Sequence, residues 1–424
     1  MCVLPTRTAM AHTTNPRRLR LAYVTTLPQT QWAFLRGQNG YLAARGFELH
    51  AVASRGPYLA RLVERDGVVA HAVPIARAIS PLRDCIALAR LFLVLRNVQP
   101  DIVHLSTPKA ALLGAIAAWA ARVPVRLFLM RGSITEPARG ARRMLFRTLE
   151  RLTAALCHQT VCVAPSLLAF LRAERILAPT AGVVVGNGMS NGIDVTRFSP
   201  ARAGDAAPVW PLPSLARAAA DPQAVYVGFV GRLARDKGIE QIAQAWQRIR
   251  EEFPRGHLLL VGAWETEGAI APRWRAALER DPRVHLPGRV DDVVPYYRLM
   301  SLLLFPSHGT EGFPNVPMEA AAVGLPVIAT RVLGCVDAVE DGVTGALIPP
   351  RDAGALAAAV RAFLADPALC RRTGAAGRAR VERRFRQEPI WSGLHAEYTR
   401  LVTAVQRAAV RPPVPAPAST SEAS

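Results

Sequence analysis

The feature that most constrains the fold is a regular alternation of short apolar runs with longer helical patterns in the first half of the chain. The first apolar run covers residues 19–25, and helical patterns follow at residues 30–45 and 109–121. Strands that alternate with helices predict a parallel sheet covered on both faces. The predicted strands of this half are residues 19–25, 48–53, 102–105, 125–129, 160–163 and 182–185.

A second alternation begins at Val225, after a Pro/Ala-rich stretch that we expect to be irregular. Its first helix carries an apolar face from Ile239 to Ile249, and a stripe from Trp391 to Val405 predicts a last helix. We therefore predict an α/β chain with two Rossmann-like, doubly wound domains. The predicted parts are a first domain at 18–199, a linker at 200–223, a second domain at 224–388, a helix at 389–406 and a disordered tail at 407–424.

The most informative polar segment, residues 306–330, lies between two strands predicted at 302–305 and 326–330. Glu311 and Glu319 stand eight positions apart around a Gly/Pro loop, and Pro317 suits the first position of a helix. The free N–H groups of such a helix start attract phosphate, while carboxylates accept hydrogen bonds from hydroxyls. The segment thus suits a nucleoside diphosphate sugar. A non-functional interpretation fits equally well. In it, Glu319 only favours the helix start and Glu311 is a solvated loop residue.

Two segments together carry a resemblance to a known enzyme family. The glutamate pair in a Gly-Phe-Pro-Asn loop, and the pattern V-G-R-L…K-G within residues 227–238, resemble the retaining glycosyltransferases of family 4. The resemblance covers residues 18–405. It implies the GT-B fold, in which two Rossmann-like domains face each other across a cleft and a C-terminal helix crosses back to the N-terminal domain. It also implies a nucleotide-sugar donor and an enzyme without metal or cofactor.

The resemblance implies a role for each matching residue. In this family the first glutamate contacts the transferred sugar, the second contacts the ribose, and an Arg and a Lys neutralise the diphosphate, so Glu311, Arg232 and Lys237 are implied as catalytic. Lys237 is one of only two lysines among 52 basic residues, and an ammonium is a good point-charge partner for phosphate. The implied donor-binding residues are Gly231, Arg232, Lys237, Arg289, Val290, His308, Glu311, Gly312, Phe313, Pro314, Asn315, Val316 and Glu319.

Candidates for acceptor binding follow strands of the first domain, at Thr25, Thr26, Lys109, Arg131 and Ser133. Lys109 also fits an ordinary helix-start residue. Many family members carry a histidine where this chain has Arg131, which stays charged and cannot act as a base. The first domain resembles bacterial enzymes that build O-antigen, capsule or exopolysaccharide. That closer resemblance implies an undecaprenyl-diphosphate-linked acceptor.

The uneven charge predicts an anionic surface as a partner. Residues 1–200 carry 25 Lys/Arg and 9 Asp/Glu, whereas residues 201–424 carry 27 and 23. Anionic headgroups attract a basic surface by about 1 kcal/mol per basic residue near the membrane. Nucleic acid is the competing partner, but no DNA- or RNA-binding motif accompanies the charge, so we expect no nucleic-acid partner. A charge that only solubilises the protein is the remaining alternative.

Cysteine spacing and hydropathy predict a cytoplasmic protein that associates peripherally with the inner membrane. The six cysteines show no metal-ligand spacing and fit thiols in a reducing compartment. The first twenty residues lack the apolar core of a secretory signal. No apolar run approaches the length of about 18 residues that indicates a membrane-spanning helix.

We therefore predict a retaining, metal-independent glycosyltransferase that moves a hexose or N-acetylhexosamine from a nucleotide-diphosphate sugar, a UDP-sugar in the first place. The predicted acceptor is a lipid-linked saccharide of bacterial cell-surface polysaccharide synthesis. A nucleotide-sugar epimerase of the same architecture is one alternative, and a non-catalytic saccharide- or lipid-binding scaffold is another. NAD chemistry is not expected, because no G-x-G-x-x-G follows the first strand.

Overall fold

The computed structural model describes residues 17–202, 205 and 208–410 and contains two parallel β-sheets with helices on their faces. Buried aliphatic residues of the strands fill the layers between sheets and helices. Parallel strands buried on both faces are the form that helical crossover connections impose. The predicted α/β class with two Rossmann-like domains is confirmed.

The strands of the first sheet lie within residues 19–184. Its strands are β1 (Leu19–Val24), β2 (Phe47–Ala53), β3 (Val69–Ala72), β4 (Ile102–Ser106), β5 (Val125–Met130), β6 (Gln159–Cys162) and β7 (Val183–Val184). Its helices are α1 (Pro28–Phe34), α2 (Gln38–Ala43), α3 (Pro57–Asp66), α4 (Pro81–Val98), α5 (Pro108–Ala120), α6 (Gly140–Ala155) and α7 (Pro165–Ala173). The strand order is β3-β2-β1-β4-β5-β6-β7, and α5 packs between α4 and α6.

The strands of the second sheet come after the helix α8 (Pro213–Ala219) in the chain. Its strands are β8 (Val225–Val230), β9 (Gly256–Val261), β10 (Val284–Gly288), β11 (Leu302–Phe305), β12 (Val327–Thr330) and β13 (Gly345–Ile348). Its helices are α9 (Ile239–Ile249), α10 (Pro272–Arg280), α11 (Val294–Leu299), α12 (Asn315–Val323), α13 (Cys335–Ala338), α14 (Ala353–Ala365) and α15 (Pro367–Arg384). The strand order is β10-β9-β8-β11-β12-β13.

Both sheets have a point where the direction of winding reverses. In the first sheet it lies between β1 and β4, and in the second between β8 and β11. At such a switch point the helices leave to opposite faces, so a crevice opens at the carboxyl ends of the two strands. The fold therefore supplies one ligand crevice in each domain.

The last helix, α16 (Gln387–Val410), crosses back to the first domain as the resemblance implied. Tyr398 is fully buried, and its hydroxyl lies 2.5 Å from Nδ1 of His104 on β4. Burial lowers the pKa of His104 to about 3, so this histidine stays neutral and structural. Trp391 donates to Asn191 at 2.7 Å. Because α16 continues to Val410, the first four residues of the predicted tail are helical, and residues 411–424 lie outside the described part.

Three local expectations differ from the structure. The helical pattern at 30–45 is two helices, α1 and α2, and the supposedly irregular stretch 200–223 contains α8. The edge strands β3 and β13 were not predicted, because each has only four residues and β3 is largely exposed. The other predicted strands agree with the observed ones to within a few residues. The exact domain boundaries remain predictions.

No single helix within the described residues is both long and apolar enough to cross a bilayer. Only α14 and α15 taken together, across a bend of 102°, pass that test of length and composition.

Candidate active site

Two loops that follow neighbouring strands form the centre of the candidate site. The loop after β8 covers residues 231–238, begins at Gly231 with φ 146°, and ends in a 3-10 turn. The loop after β11 covers residues 306–314 and leads into α12. Since β8 and β11 are adjacent at the switch point of the second sheet, the two segments that resemble family 4 lie side by side.

Backbone contacts hold these two loops together. The backbone N–H groups of His308 and Gly309 both donate to the carbonyl oxygen of Asp236, at 2.9 and 3.1 Å. Gly238 has φ 76°, and a Cβ there would lie 2.2 Å from the carbonyl oxygen of Pro306. Only glycine allows this approach, because it lacks a Cβ and adopts a positive φ without strain.

Lys237 and Glu311 form the central charged pair. The Nζ atom of Lys237 lies 2.6 Å from Oε1 of Glu311, and the hydroxyl of Ser307 donates to the same oxygen at 2.6 Å. The two charged side chains are only 18% and 11% exposed. Short charge-assisted hydrogen bonds between enclosed groups fix both side chains. The structure thus brings together two groups that the resemblance assigned to the sugar and to the diphosphate.

Arg232 lies on the same loop in a more open position. Its guanidinium lies 3.0 Å from Glu265 and 3.3 Å from Asp236, and 54% of its side chain is exposed. Two carboxylates orient this guanidinium.

Glu319 accepts a hydrogen bond of 2.9 Å from the hydroxyl of Tyr297 on α11. Burial raises the pKa of Glu319, and the bond from Tyr297 works in the opposite direction. The prediction that α12 starts at Pro317 was wrong by two residues, since the helix starts at Asn315 with Pro314 as N-cap. Proline is tolerated throughout a first turn, where backbone N–H groups have no helical partner. Glu319 consequently lies beyond the first turn.

The loop after β11 also contacts the first domain. A Cβ at Gly312 would lie 1.9 Å from the carbonyl oxygen of Arg131, and one at Gly188 would lie 3.2 Å from the ring of Phe313. Phe313 itself is buried. Ser166 on α7 adds hydrogen bonds to Asp337 of the second domain. The predicted donor loop therefore lies where the two domains meet.

The remaining donor candidates surround this junction. Arg289 donates to the hydroxyl of Tyr58 on α3 at 2.6 Å, which links the two domains. Val290 packs against the core. His308 is half-buried, and burial together with the positive charge of Arg351 lowers its pKa. Its imidazole is therefore neutral near pH 7 and can accept or donate a hydrogen bond. Asn315 and Val316 are the first two residues of α12.

Thr25 and Thr26 lie at the switch point of the first sheet, directly after β1. Both are buried, and the hydroxyl of Thr26 lies 2.9 Å from that of Thr107, which follows β4. The hydroxyl of Thr25 donates to the carbonyl of Leu27. These contacts close the base of the crevice in the first domain.

Lys109 and Ser133 have internal partners. Lys109 lies 2.7 Å from Asp84 of α4, and Ser133 donates to Glu150 of α6 at 2.8 Å. Ser133 is completely buried. Either side chain would have to exchange these bonds to contact an acceptor, so their acceptor roles remain predictions.

Arg131 differs from the other acceptor candidates because part of its guanidinium has no partner. The group stacks 4.3 Å above the ring of Phe34, and its Nε and Nη1 atoms are buried with no hydrogen-bond partner among the described residues. Burial lowers the pKa of Arg131 to about 10, which still leaves it charged. Buried donors without partners are rare in folded proteins, so Arg131 is the acceptor candidate that retains unused hydrogen-bonding capacity.

Sequence reasoning missed Glu136, which is the single acidic residue between Arg131 and Arg147. It lies in the loop between β5 and α6 and lines a cavity of about 730 Å³. The cavity is lined by Glu136, Pro137, Ala138, Arg139, Gly140, Arg143, His308, Gly309, Thr310 and Arg351. The only signal in the sequence was one acidic residue in a basic segment. This signal does not predict that the residue faces the loop after β11.

Two Rossmann-like domains that meet at the carboxyl ends of their strands, with a final helix that crosses back, form the architecture of the GT-B glycosyltransferases. The family model for glycosyl transferases group 1 matches residues 224–366, and the model for the glycosyl transferase 4-like domain matches residues 31–188. A capsular polysaccharide biosynthesis glycosyltransferase, CapM of Staphylococcus aureus, is 31% identical over 364 residues, which is 86% of this chain and 93% of CapM. The chain belongs to glycosyltransferase family 4.

Solved structures confirm the fold. Sucrose-phosphate synthase from Thermosynechococcus elongatus matches with a TM-score of 0.71 at 22% identity, over 91% of this chain and all of that chain. Anabaena HepE in complex with UDP and glucose matches with a TM-score of 0.72 at 18% identity, over 90% of this chain and all of that chain. At such identities the likeness establishes the architecture alone.

Proposed function

We propose that the protein transfers a hexose or N-acetylhexosamine from a nucleotide-diphosphate sugar to a lipid-linked saccharide, with retention of the anomeric configuration. The adjacency of Lys237 and Glu311 carries this proposal. A carboxylate that accepts from sugar hydroxyls beside an ammonium that binds phosphate matches the junction of sugar and diphosphate. The HepE structures contain UDP with glucose, or UDP-glucose, which supports a UDP-sugar as the first donor to test.

In the proposed reaction the bond between the anomeric carbon and the diphosphate breaks, and its electron pair leaves with the diphosphate. Lys237 and Arg232 stabilise that charge once they exchange their present carboxylate partners. Glu311 is then free to accept from a sugar hydroxyl and to favour the positive charge that develops on the sugar. Glu319, at the far side of the α12 start, accepts from the ribose.

The acceptor hydroxyl forms the new bond to the anomeric carbon on the face that the diphosphate leaves. Its proton passes to the departing phosphate oxygen, so no separate protein base is required. Arg232 and Lys237 stabilise the negative charge that a metal ion stabilises in other phosphate chemistry. We therefore propose a metal-independent reaction without cofactor.

A donor screen followed by a transfer assay tests this function. A nucleotide sugar at 100 times its dissociation constant stabilises the fold by about 2.7 kcal/mol, which a thermal shift detects. The stabilising donor is then incubated with lipid-linked acceptors, with and without EDTA, and the anomeric configuration of the product is read by NMR. Absence of nucleotide release with every donor would support a binding scaffold. An interconverted nucleotide sugar without nucleotide release would support an epimerase.

The acceptor proposal rests on two observations. CapM acts in capsular polysaccharide biosynthesis. The first domain of the present chain is strongly basic and carries Arg131 with open donors beside the donor loop. Both fit a saccharide on a lipid diphosphate such as undecaprenyl diphosphate, which is anionic next to its sugar.

A lipid-linked acceptor requires contact with a membrane, and one face of the first domain suits it. On α4, Leu82, Ile86 and Leu93 form an exposed apolar stripe, and Met144 and Leu145 are exposed on α6. Arginines alternate with these residues along both helices. Apolar side chains that insert and arginines that bind anionic headgroups are the pattern of interfacial helices. We propose that this face binds the cytoplasmic surface of the inner membrane.

A further inference from the structure

The cavity of about 730 Å³ has one wall from each domain. Residues 136–140 and Arg143 form the wall on the first domain. Residues 308–310 of the donor loop and Arg351 form the opposite wall. Any molecule in this cavity therefore lies directly beside the loop that carries Glu311.

Glu136 lines this cavity, and its carboxylate makes no hydrogen bond within the described part of the chain. Its Oε2 atom is buried and has no hydrogen-bond partner among the described residues. Burial, and in second place the negative charge of Glu311, raises the pKa of Glu136 to about 7. A buried carboxylate without a donor is unfavourable unless a ligand supplies one. Of the two carboxylates, Glu311 already has two partners and Glu136 is the one that lacks them.

The position of Glu136 is set by a rigid loop. Glu150 accepts from Ser133, Thr135 and the backbone N–H of Ile134, at 2.7 to 2.9 Å. Arg143 donates to the carbonyl oxygens of residues 135, 136 and 138 and is itself held by Glu174 at 2.7 Å. These bonds fix the backbone on both sides of Glu136, so the loop holds this residue at the wall of the cavity.

Two cations flank the same cavity. Arg139 from the first domain and Arg351 from the second line it, both exposed. Neither is paired with a carboxylate in the described part of the chain. A ligand that reaches both would carry negative charge. Arg139 immediately precedes α6, whose exposed apolar residues belong to the proposed membrane face, so a lipid could enter from that side.

We propose that this cavity is the acceptor subsite, in which Glu136 accepts a hydrogen bond from a hydroxyl of the acceptor saccharide while Arg139 and Arg351 bind the phosphate groups that follow it. The assignment rests on the proposed transferase function. It adds to the five acceptor candidates three residues that sequence reasoning did not find. Glu136 orients the acceptor hydroxyl, and the proton still leaves with the phosphate as above.

The first experiment separates the acceptor from the donor. Wild type, Glu136→Gln and the control Glu251→Gln are compared in two assays, nucleotide release from the donor without acceptor and transfer to polyprenyl-diphosphate-linked saccharides extracted from bacterial membranes. We expect Glu136→Gln to lower kcat/KM for the acceptor by about tenfold to a hundredfold, the usual effect of losing a bond to a charged group. Donor release and donor KM should stay within twofold of wild type.

The control and the conservative variant decide between contact and structure. Glu251 lies on the second domain, is 78% exposed and does not line the cavity, so Glu251→Gln should not reproduce the loss, and Glu136→Asp should restore part of it. Wild-type acceptor kinetics in Glu136→Gln would overturn the proposal, as would an equal loss of donor release. If wild type releases no nucleotide from any donor, the transferase function itself fails, which is a distinct result.

The second experiment tests the cations. Arg139→Gln and Arg351→Gln should weaken the diphosphate-linked acceptor by about tenfold or more each and leave the same saccharide as a neutral alkyl glycoside unaffected. Arg273→Gln, an exposed arginine on α10 that does not line the cavity, is the matched control. Equal losses on both acceptors, or none on either, would show that no phosphate binds at Arg139 and Arg351.

Discussion

Glu311 and Lys237 are bonded to each other, yet the proposed reaction gives them different tasks. Glu311→Ala removes the carboxylate that faces the developing positive charge, so we expect transfer to fall by more than about a hundredfold. Lys237→Ala removes a phosphate partner and should weaken donor binding about tenfold to a hundredfold. Transfer rates and donor titrations of the two purified variants measure these effects.

The exposed Glu251, with 78% of its side chain accessible, is the control for Glu311 because it lies on the same domain far from either loop. Glu251→Ala should behave as wild type. Circular dichroism establishes that each variant is folded. Normal turnover in folded Glu311→Ala would remove Glu311 from the mechanism, and an unchanged donor dissociation constant in Lys237→Ala would remove the lysine from the donor site.

Glu136 should also make stability depend on pH. Its pKa is raised from 4.5 to about 7, so the folded state keeps a proton that the unfolded chain loses between these values. The free energy of unfolding therefore falls as pH rises from about 4.5 to 7 and levels off above. Glu136→Gln should lose this component, and urea titrations at pH 5 and pH 8 measure it. The groups that face Glu136 are Glu311, His308 and Arg351. If wild type and Glu136→Gln show the same pH dependence of stability, it comes from these groups and not from Glu136.

Sequence reasoning selected residues that stand in a local pattern and did not select those whose partners are distant along the chain. Lys237 and Glu311 each stand in a local pattern in a loop after a strand. Tyr297 supports Glu319 across two different helices, and Glu136 faces the donor loop from the other domain. No spacing in the sequence predicts such contacts, because they depend on how separate helices and the two domains pack.

The loop after β11 couples the donor site to the domain contact, and Gly312 is the point of closest approach. Its φ is not in the left-handed region, so alanine is unfavourable there for steric reasons alone, with a Cβ 1.9 Å from the carbonyl oxygen of Arg131. Gly312→Ala should separate the loop from the first domain, lower the melting temperature and reduce transfer. Gly40→Ala on α2 is the control, since its Cβ meets nothing within 4 Å and alanine favours a helix. Equal melting temperatures for the two variants would contradict this account.

The helices and strands themselves were largely predictable from periodicity. α9 and α16 carry clear apolar stripes, and the buried strands β8, β9 and β11 are continuous apolar runs. β3 escaped prediction because an edge strand buries little and needs no apolar face. The start of α12 was misplaced because proline marks a first turn without specifying which position of the turn it occupies.

For the molecule as a whole, charge and exposed apolar surface coincide on the first domain. The sequence predicted the charge asymmetry, but it could not predict that α4 exposes an apolar stripe. On this helix Leu82, Ile86 and Leu93 are exposed, whereas Leu91 and Leu95 are buried. A helix that is apolar on both faces needs a second apolar partner, and a membrane would provide one if the acceptor is lipid-linked as proposed.

Vesicle flotation tests this face. Wild type should float with vesicles that contain phosphatidylglycerol and less with phosphatidylcholine alone, because arginines add electrostatic attraction. The triple variant Leu82→Ser, Ile86→Ser, Leu93→Ser loses about 1 kcal/mol per exposed side chain, so its partition coefficient should fall about a hundredfold. Val209→Ser with Val343→Ser, at 95% and 48% exposure on other parts of the surface, is the control and should float as wild type.

In 0.5 M NaCl the wild type should retain part of its binding and the triple variant none, since salt screens the arginines but not the apolar contact. Equal flotation of the triple variant and the control would place the membrane contact elsewhere on the molecule.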